Sequence, residues 1–333
     1  MKRTKYPIHP DFKKWEHVNP PLHKTFLPVM QKVMGTLFLR EKSSDAITVN
    51  HLKIGTSDGK TIRALLYTPA GVSTPAPCLV YYHGGGFVLP AAPHHYNLVK
   101  EYSLKALCKV LLVDYRLAPK FAFPVAPEDC FSAYQWVLKQ AQDVGIDPSL
   151  VAVGGDSAGG ELATVVCLMA RDQSVRIPCA QMLIYPVTAR GLETESMKKY
   201  VDTPMCNSRD MGKYDRFYIQ DEKAGKREYM SPIDADSLAD LPPAYIETAE
   251  FDCLRDGGQQ YAERLEQFLV PVELHNTVGT IHGFDIEVTS SIVRECVERR
   301  VAFLQKAFRR GLKCRGRILF SSSEIELLSI PDR

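Results

Sequence analysis

No run of apolar residues in this 333-residue chain approaches the roughly 18 needed to cross a bilayer, so a membrane-spanning protein is not expected. Met1 to Pro10 is charged and broken by Pro7 and Pro10, which leaves no apolar stretch for a secretory signal. An excess of charge of either sign is missing too. With 41 Lys and Arg against 39 Asp and Glu, the net charge of +2 gives no global field to gather nucleic acid or an anionic membrane. The expected partner is a small, fairly neutral molecule. There is no C-x-x-C pair to suggest a zinc or redox site; nine cysteines, at 78, 108, 130, 167, 179, 206, 253, 296 and 314, are scattered singly. Several of them (Cys78, Cys108, Cys167) lie in apolar runs, where a reduced thiol behaves as a small hydrophobe, and free thiols point to a cytoplasmic protein. Neither G-x-x-x-x-G-K-[ST] nor G-x-G-x-x-G occurs, so no nucleotide-phosphate loop is indicated, and no internal repeat or low-complexity block is found.

What is present is an α/β pattern, and an apolar content of 45% is enough to bury a large core. Two strand-like segments, Ile47–Ile54 and Thr61–Thr68, flank Ser57-Asp58-Gly59-Lys60, whose Asp-Gly pair predicts a hairpin. Beyond Pro75 and Pro77 come short, continuously apolar runs at Cys78–Tyr82, Val110–Val113, Val151–Val153, Ala180–Ile184, Ala244–Thr248 and Val272–Leu274. Strands buried on both faces read this way, and helix-like spacers such as Glu128–Gln140 and Gly257–Leu269 predict crossovers in a mostly parallel sheet. Residues 1–45, with an amphipathic stretch through Phe26, Leu27, Met30, Val33, Met34, Leu37 and Phe38, and the polar segment 188–240 stand outside that alternation and are read as a cap. The remainder, 46–310, is the catalytic domain, and 311–333 is a tail with no assigned role.

Gly155-Asp156-Ser157-Ala158-Gly159 follows an apolar strand and opens an apolar helix, the setting a G-x-S-x-G nucleophile elbow requires. The turn is so sharp that a Cβ two residues before or after the serine meets backbone, and the helix N-terminus lends N–H groups to a nearby oxyanion. A bland alternative is a serine capping a Gly-rich turn. His83-Gly84-Gly85-Gly86-Phe87 follows another buried strand and offers bare N–H groups of the kind an oxyanion hole needs.

A hydroxyl is a poor nucleophile at neutral pH, so a base is needed, and an acid to orient it. Of nine histidines, His282 lies after the last strand and before the final helix, at the C-terminal edge of the sheet, whereas His275 falls inside a strand and His94 and His95 start a helix. For the acid, Asp252 lies nearest the preceding strand, Asp256 is placed to cap the helix near Gly257, and Glu250 is a third candidate; Asp252 is chosen.

Together these blocks resemble the hormone-sensitive-lipase-like family of α/β-hydrolases, the bacterial family IV esterases. The resemblance runs from about Lys53 to Ala307. It rests on His83-Gly84-Gly85-Gly86-Phe87, Asp114-Tyr115-Arg116-Leu117-Ala118-Pro119 with Phe123-Pro124, Gly155-Asp156-Ser157-Ala158-Gly159-Gly160, and Asp252–Asp256 with His282-Gly283-Phe284. It implies an α/β-hydrolase fold with an eight-stranded, mostly parallel sheet and a helical cap, no cofactor and no metal. It also implies a Ser157–Asp252–His282 triad, an oxyanion hole from the N–H groups of Gly85, Gly86 and Ala158, and a structural brace around Asp114 and Arg116. Three residues depart from the family pattern: Lys120 for Glu, Glu161 for Asn and Cys253 for Pro.

The expected activity is hydrolysis of short- to medium-chain carboxylic esters through an acyl-serine, in a protein without stable membrane insertion and with a homodimer as the expected assembly. The same triad also serves sugar deacetylases, lactonases and amidases. A trypsin-like protease is disfavoured because that family places His and Asp before Ser. A non-enzymatic receptor like the plant gibberellin receptors is disfavoured because those lack the triad histidine, and His282 is here.

Overall fold

The computed structural model describes residues 5–20 and 22–324, with side chains through residue 310. One eight-stranded sheet runs in the order β1 (Ile47–Gly55), β2 (Thr61–Pro69), β4 (Lys109–Asp114), β3 (Ala76–Tyr82), β5 (Ile146–Asp156), β6 (Gln181–Ile184), β7 (Ala244–Phe251), β8 (Val272–Ile281). β2 is antiparallel to both β1 and β4, and every other pair is parallel. The hairpin turns where the Asp-Gly pair predicts: Asp58 accepts hydrogen bonds from the Thr56 hydroxyl and the Lys60 N–H, and Gly59 takes φ +74°.

The central strands are continuously apolar because both of their faces are covered. In β3, Cys78, Val80 and Tyr82 join one apolar cluster while Leu79 and Tyr81 join the other. The first cluster lies under helices α3 (Val125–Lys139), α4 (Ala158–Asp172) and α7 (Arg255–Gln267); the second lies under α2 (Pro93–Ala106) and α8 (Ser291–Glu324). α4 has all but its last two residues in or against the core, as its apolar circumference predicts.

The two segments outside the alternation meet above the C-terminal edge of the sheet. Helix α1 (Leu27–Gly35) is docked by Gln31, whose amide donates to the carbonyls of Val88 and Ala118, both at 2.8 Å. Helix α6 (Ser208–Tyr218) is docked by Tyr218, whose ring stacks on Phe87 with centroids 3.8 Å apart. The amphipathic reading of the N-terminus holds for only part of its stripe: Leu27 and Phe38 are buried, while Phe26 and Val33 face solvent. A short helix, α5 (Glu195–Lys199), lies between β6 and α6. α8 continues to Glu324, into the segment set apart as a tail; residues 325–333 and the side chains of 311–324 lie outside the described residues. Among the described residues no helix is long and apolar enough to cross a membrane.

Candidate active site

β5 ends at Asp156 and α4 begins at Ala158, so Ser157 alone makes the turn, with φ +54° and ψ −117°. A residue with a side chain is held there only if its surroundings over-determine it. Here its N–H donates to the Ile184 carbonyl at 2.8 Å and its own carbonyl accepts from Val187 at 3.1 Å. The chain can cross itself so closely because Gly159 has no side chain: a Cβ there would fall on the carbonyl oxygen of Tyr82. The serine makes no capping hydrogen bond to α4, which removes the reading of it as a simple helix cap.

Its hydroxyl turns instead to His282, which follows β8 directly. Ser157 Oγ lies 2.8 Å from His282 Nε2, and His282 Nδ1 lies 2.7 Å from Asp252 Oδ2. The network is consistent with the serine hydroxyl donating to Nε2 and Nδ1–H donating to the carboxylate. All three residues are buried, Asp252 completely. Burial by itself would push the imidazolium down, but the Asp252 carboxylate, with a contribution from Cys206 in its thiolate form, outweighs that and raises His282 to about 9.

The competing acids are occupied elsewhere. Asp256 sits inside the first turn of α7, where it accepts from the Ser196 N–H at 2.7 Å and pairs with Arg255 at 2.8 Å. It therefore does not cap α7, which has no side-chain cap; in the turn before that helix Asp252 accepts from the Leu254 N–H at 2.9 Å through the oxygen His282 leaves free. Glu250 accepts from the Gly279 N–H at 2.7 Å.

The N–H groups of Gly85, Gly86 and Ala158 donate to no acceptor among the described residues, which leaves them available to an oxyanion. The loop bearing the first two is braced from below. Asp156 Oδ1 accepts from the Gly84 N–H at 3.0 Å and from the Tyr81 hydroxyl at 2.9 Å, and its Oδ2 faces His95 Nε2 at 3.1 Å. Burial works against the Asp156 carboxylate, yet His95 and Tyr81 hold it well below the usual carboxylate range. The block from Asp114 braces the same loop through Tyr115, whose hydroxyl donates to the His83 carbonyl at 2.7 Å and whose ring stacks on His83 at 4.4 Å. Arg116 is tied to Asp129 and Asp58, and Asp114 to Arg63. The brace by His95 escaped sequence reasoning because a histidine opening a helix carries no sign of a carboxylate sixty residues away.

His94, His95 and Asp156 bring three donor atoms within 4.8 Å, the one such group of His, Cys, Asp and Glu among the described residues. Asp156 spends one oxygen on the Gly84 N–H and the other on His95, so the pair suits a brace better than a cation.

A cavity of about 170 Å3 opens beside Ser157 and His282, walled by Gly86, Phe87, Arg190, Cys206, Tyr214 and Ile286. The Tyr214 ring of α6 packs on Gly86, in the place a Cβ would take. Of the three departures from the family pattern, Glu161 is buried beneath this cavity and paired with Arg190, Cys253 is buried beside Cys206, and Lys120 lies over Phe121 outside the cavity.

Residues 79–286 match the family model described as alpha/beta hydrolase fold. The chain is 39% identical over 210 residues to esterase LipI of Mycobacterium tuberculosis, covering 63% of this chain and 66% of that relative, just under two thirds of its length. It is 36% identical over 256 residues to carboxylesterase NlhH of the same organism, covering 75% and 80%. Among solved structures, the hyperthermophilic esterase from Pyrobaculum calidifontis superposes with a TM-score of 0.79 at 32% identity, covering 90% of this chain and 99% of that one. The eight-stranded sheet, the serine at its strand-to-helix turn and these matches together establish that the chain belongs to the hormone-sensitive-lipase-like family of α/β-hydrolases.

Proposed function

We propose that this protein is a serine carboxylesterase acting on short- to medium-chain esters. The observation that carries the reading is the unbroken hydrogen-bonded line from Ser157 through His282 to Asp252. In the proposed cycle Ser157 Oγ attacks the ester carbonyl while His282 Nε2 takes its proton. Asp252 holds the imidazole in the Nδ1–H tautomer and offsets its charge. The carbonyl oxygen, now negative, is received by the N–H groups of Gly85, Gly86 and Ala158, each worth about 3 kcal/mol to the transition state. His282 then protonates the leaving alcohol, and water repeats the sequence on the acyl-serine. No step calls for a metal or cofactor.

Two things support the limit on chain length. The cavity is about 170 Å3, and a void of roughly 150 Å3 holds one benzene, so a few carbons fill it. Its walls are mostly apolar, which suits an acyl chain better than a sugar. The cap is assigned to 1–45 and 188–240, whose helices α1 and α6 lie over the oxyanion loop. Eight free cysteines among the described residues favour a reducing compartment such as the cytoplasm.

The test is an acyl series of p-nitrophenyl esters from acetate to palmitate, with Ser157→Ala and Asp252→Asn beside the wild type. Turnover greatest at acetate to hexanoate, and abolished in Ser157→Ala, is expected. Binding of esters without turnover by the wild type would overturn the reading in favour of a receptor.

A further inference from the structure

Among the described residues two thiols lie together, and neither makes or breaks a bond in the proposed ester hydrolysis. Cys206 follows Met205 in the segment that leads into α6; Cys253 follows Asp252 in the turn after β7. Their sulfurs are 3.9 Å apart, and Met211 Sδ lies 3.6 Å from Cys206 Sγ. Cys253 is completely buried, whereas Cys206 forms part of the wall of the cavity beside Ser157. A small solute that enters this cavity therefore meets Cys206, whereas Cys253 lines a separate and smaller pocket of about 40 Å3.

We propose that Cys206 and Cys253 form a peroxide-oxidisable dithiol, a modification site in which Cys206 is attacked first and Cys253 resolves it to a disulfide. In the first step the Cys206 sulfur attacks one oxygen of a small hydroperoxide. The O–O bond breaks, an S–O bond forms, and with hydrogen peroxide the products are a sulfenic acid and one water. In the second step the Cys253 sulfur attacks the Cys206 sulfur. The S–S bond forms, the S–O bond breaks, and the hydroxyl leaves as water with the Cys253 proton. The two sulfurs together lose two electrons and two hydrogens, and the peroxide is reduced to two waters.

The division of roles follows from the surroundings. The hydrogen bond with Cys253 and the charge of His282 hold the Cys206 thiol below its usual range against its burial. Cys253 is pushed well above, by its contact with Cys206 and by burial. The sulfur that faces the cavity beside Ser157 is thus the better thiolate, as an attacking cysteine should be. The other six described cysteines have no such sulfur neighbour among the bonds described.

A disulfide needs its sulfurs about 2.05 Å apart, so the pair must close by roughly 2 Å. Cys253 is fixed by the end of β7 and by its carbonyl, which accepts from the Ser196 hydroxyl at 2.8 Å. Cys206 is held as well, its carbonyl accepting from the Thr203 hydroxyl at 2.7 Å, so closure must bend the segment around it, where Met205 holds a strained φ of +66°. The bond would draw a wall of the cavity toward the residue next to Asp252, and esterase activity falls with it.

The experiment exposes the reduced full-length protein to hydrogen peroxide and reads intact mass, peptide connectivity and hydrolysis of p-nitrophenyl butyrate, each variant against its own untreated control. The wild type is expected to lose two hydrogens, to yield a Cys206–Cys253 linked peptide, and to lose activity that dithiothreitol restores. Cys253→Ser is expected to stop at the sulfenic acid, which dimedone captures at Cys206, and Cys206→Ser to give neither product. A disulfide mapped to other cysteines, or the same loss of two hydrogens in Cys253→Ser, overturns the proposal. So does a wild type that keeps its mass. Because mass and connectivity are read without turnover, failure here leaves the hydrolase reading untouched, and failure of that reading leaves this result interpretable.

Discussion

Arg300 donates through Nη1 to both carboxylate oxygens of Asp285, at 3.0 and 2.9 Å, and so ties helix α8 to the loop that carries His282. The same side chain donates to Glu247 of β7 at 2.9 and 3.2 Å and to the Tyr102 hydroxyl of α2 at 3.0 Å. Asp285 in turn accepts from the Tyr185 hydroxyl at 2.9 Å, and the Tyr185 ring stands edge-on to His282 with centroids 5.0 Å apart. One buried cation thereby orders two carboxylates and, through a tyrosine, the proposed base.

Arg300→Met would strand Glu247 and Asp285 in the core. Arg300 and both acids are fully buried, so the loss is that of a broken internal ion pair, about 3 to 5 kcal/mol. Urea denaturation is expected to show that drop, and kcat to fall further than KM changes, because the loop after His282 loses its anchor. A midpoint equal to the wild type's would contradict the account.

Two glycine substitutions separate close approach from helix propensity. Gly159→Ala places a methyl on the Tyr82 carbonyl, and neither piece of backbone can yield without moving β3 or α4, so the variant is expected not to accumulate as folded protein. Gly212→Ala, in the middle of α6, meets only the far end of Arg216 at 3.5 Å. It should gain up to ~1 kcal/mol in thermal or urea unfolding. Equal behaviour of the two variants would show that the crossing beneath Ser157 is looser than described.

The pH profile should report His282. A general base works only when unprotonated, so a pKa raised from 6.5 to about 9 moves the acid limb of kcat/KM upward, and activity on a neutral ester is expected to climb through neutral pH into the alkaline range. Cys206→Ser removes one of the raising charges and should shift the limb to lower pH. A profile already flat above pH 6.5 would show that Asp252 holds the imidazole without raising it.

Local features were readable from the chain because they depend on neighbours in sequence. The buried strands announce themselves as unbroken apolar runs, the hairpin by Asp58-Gly59, and the elbow by glycines whose absence of Cβ the crossing requires. The choice of Asp252 over Asp256 rested on one turn of chain; in the structure Asp252 lies against His282 while Asp256 turns toward Ser196. What the sequence concealed are contacts between distant segments: Gln31 on the oxyanion loop, Tyr214 over Gly86, His95 under Asp156. Each of these residues is ordinary for its own element, and only the folded chain gives it a partner. The N-terminal segment shows this most clearly, since the apolar stripe of α1 does not say which of Leu27 and Val33 will find cover.

Glu161 is the departure from the family pattern with the largest physical consequence. Both its oxygens accept from Arg190 Nη2, at 2.9 and 2.7 Å, and Arg190 lies over the rings of Phe87 and Tyr218 at 5.3 and 5.7 Å. Arg190 lines the cavity with Glu161 buried behind it, and Asp215 Oδ1 lies 3.4 Å from Arg190 Nε. Burial pushes Glu161 up to about 8 although Arg190 opposes it. The folded state therefore holds a proton that the unfolded chain releases near 4.5, and stability must decline as pH rises from about 4.5 through about 8. Glu161→Gln cannot titrate, so urea midpoints measured at pH 5 and pH 9 should differ less in that variant than in the wild type. Glu161→Asn restores the residue common in the family but is too short to reach the guanidinium. It leaves Arg190 with Asp215 alone, so a lower urea midpoint and a raised KM are expected as the wall of the cavity shifts. If Glu161→Asn instead matched the wild type in both stability and KM, Asp215 would have to be sufficient as the partner of Arg190, and the buried glutamate would have no part in shaping the cavity.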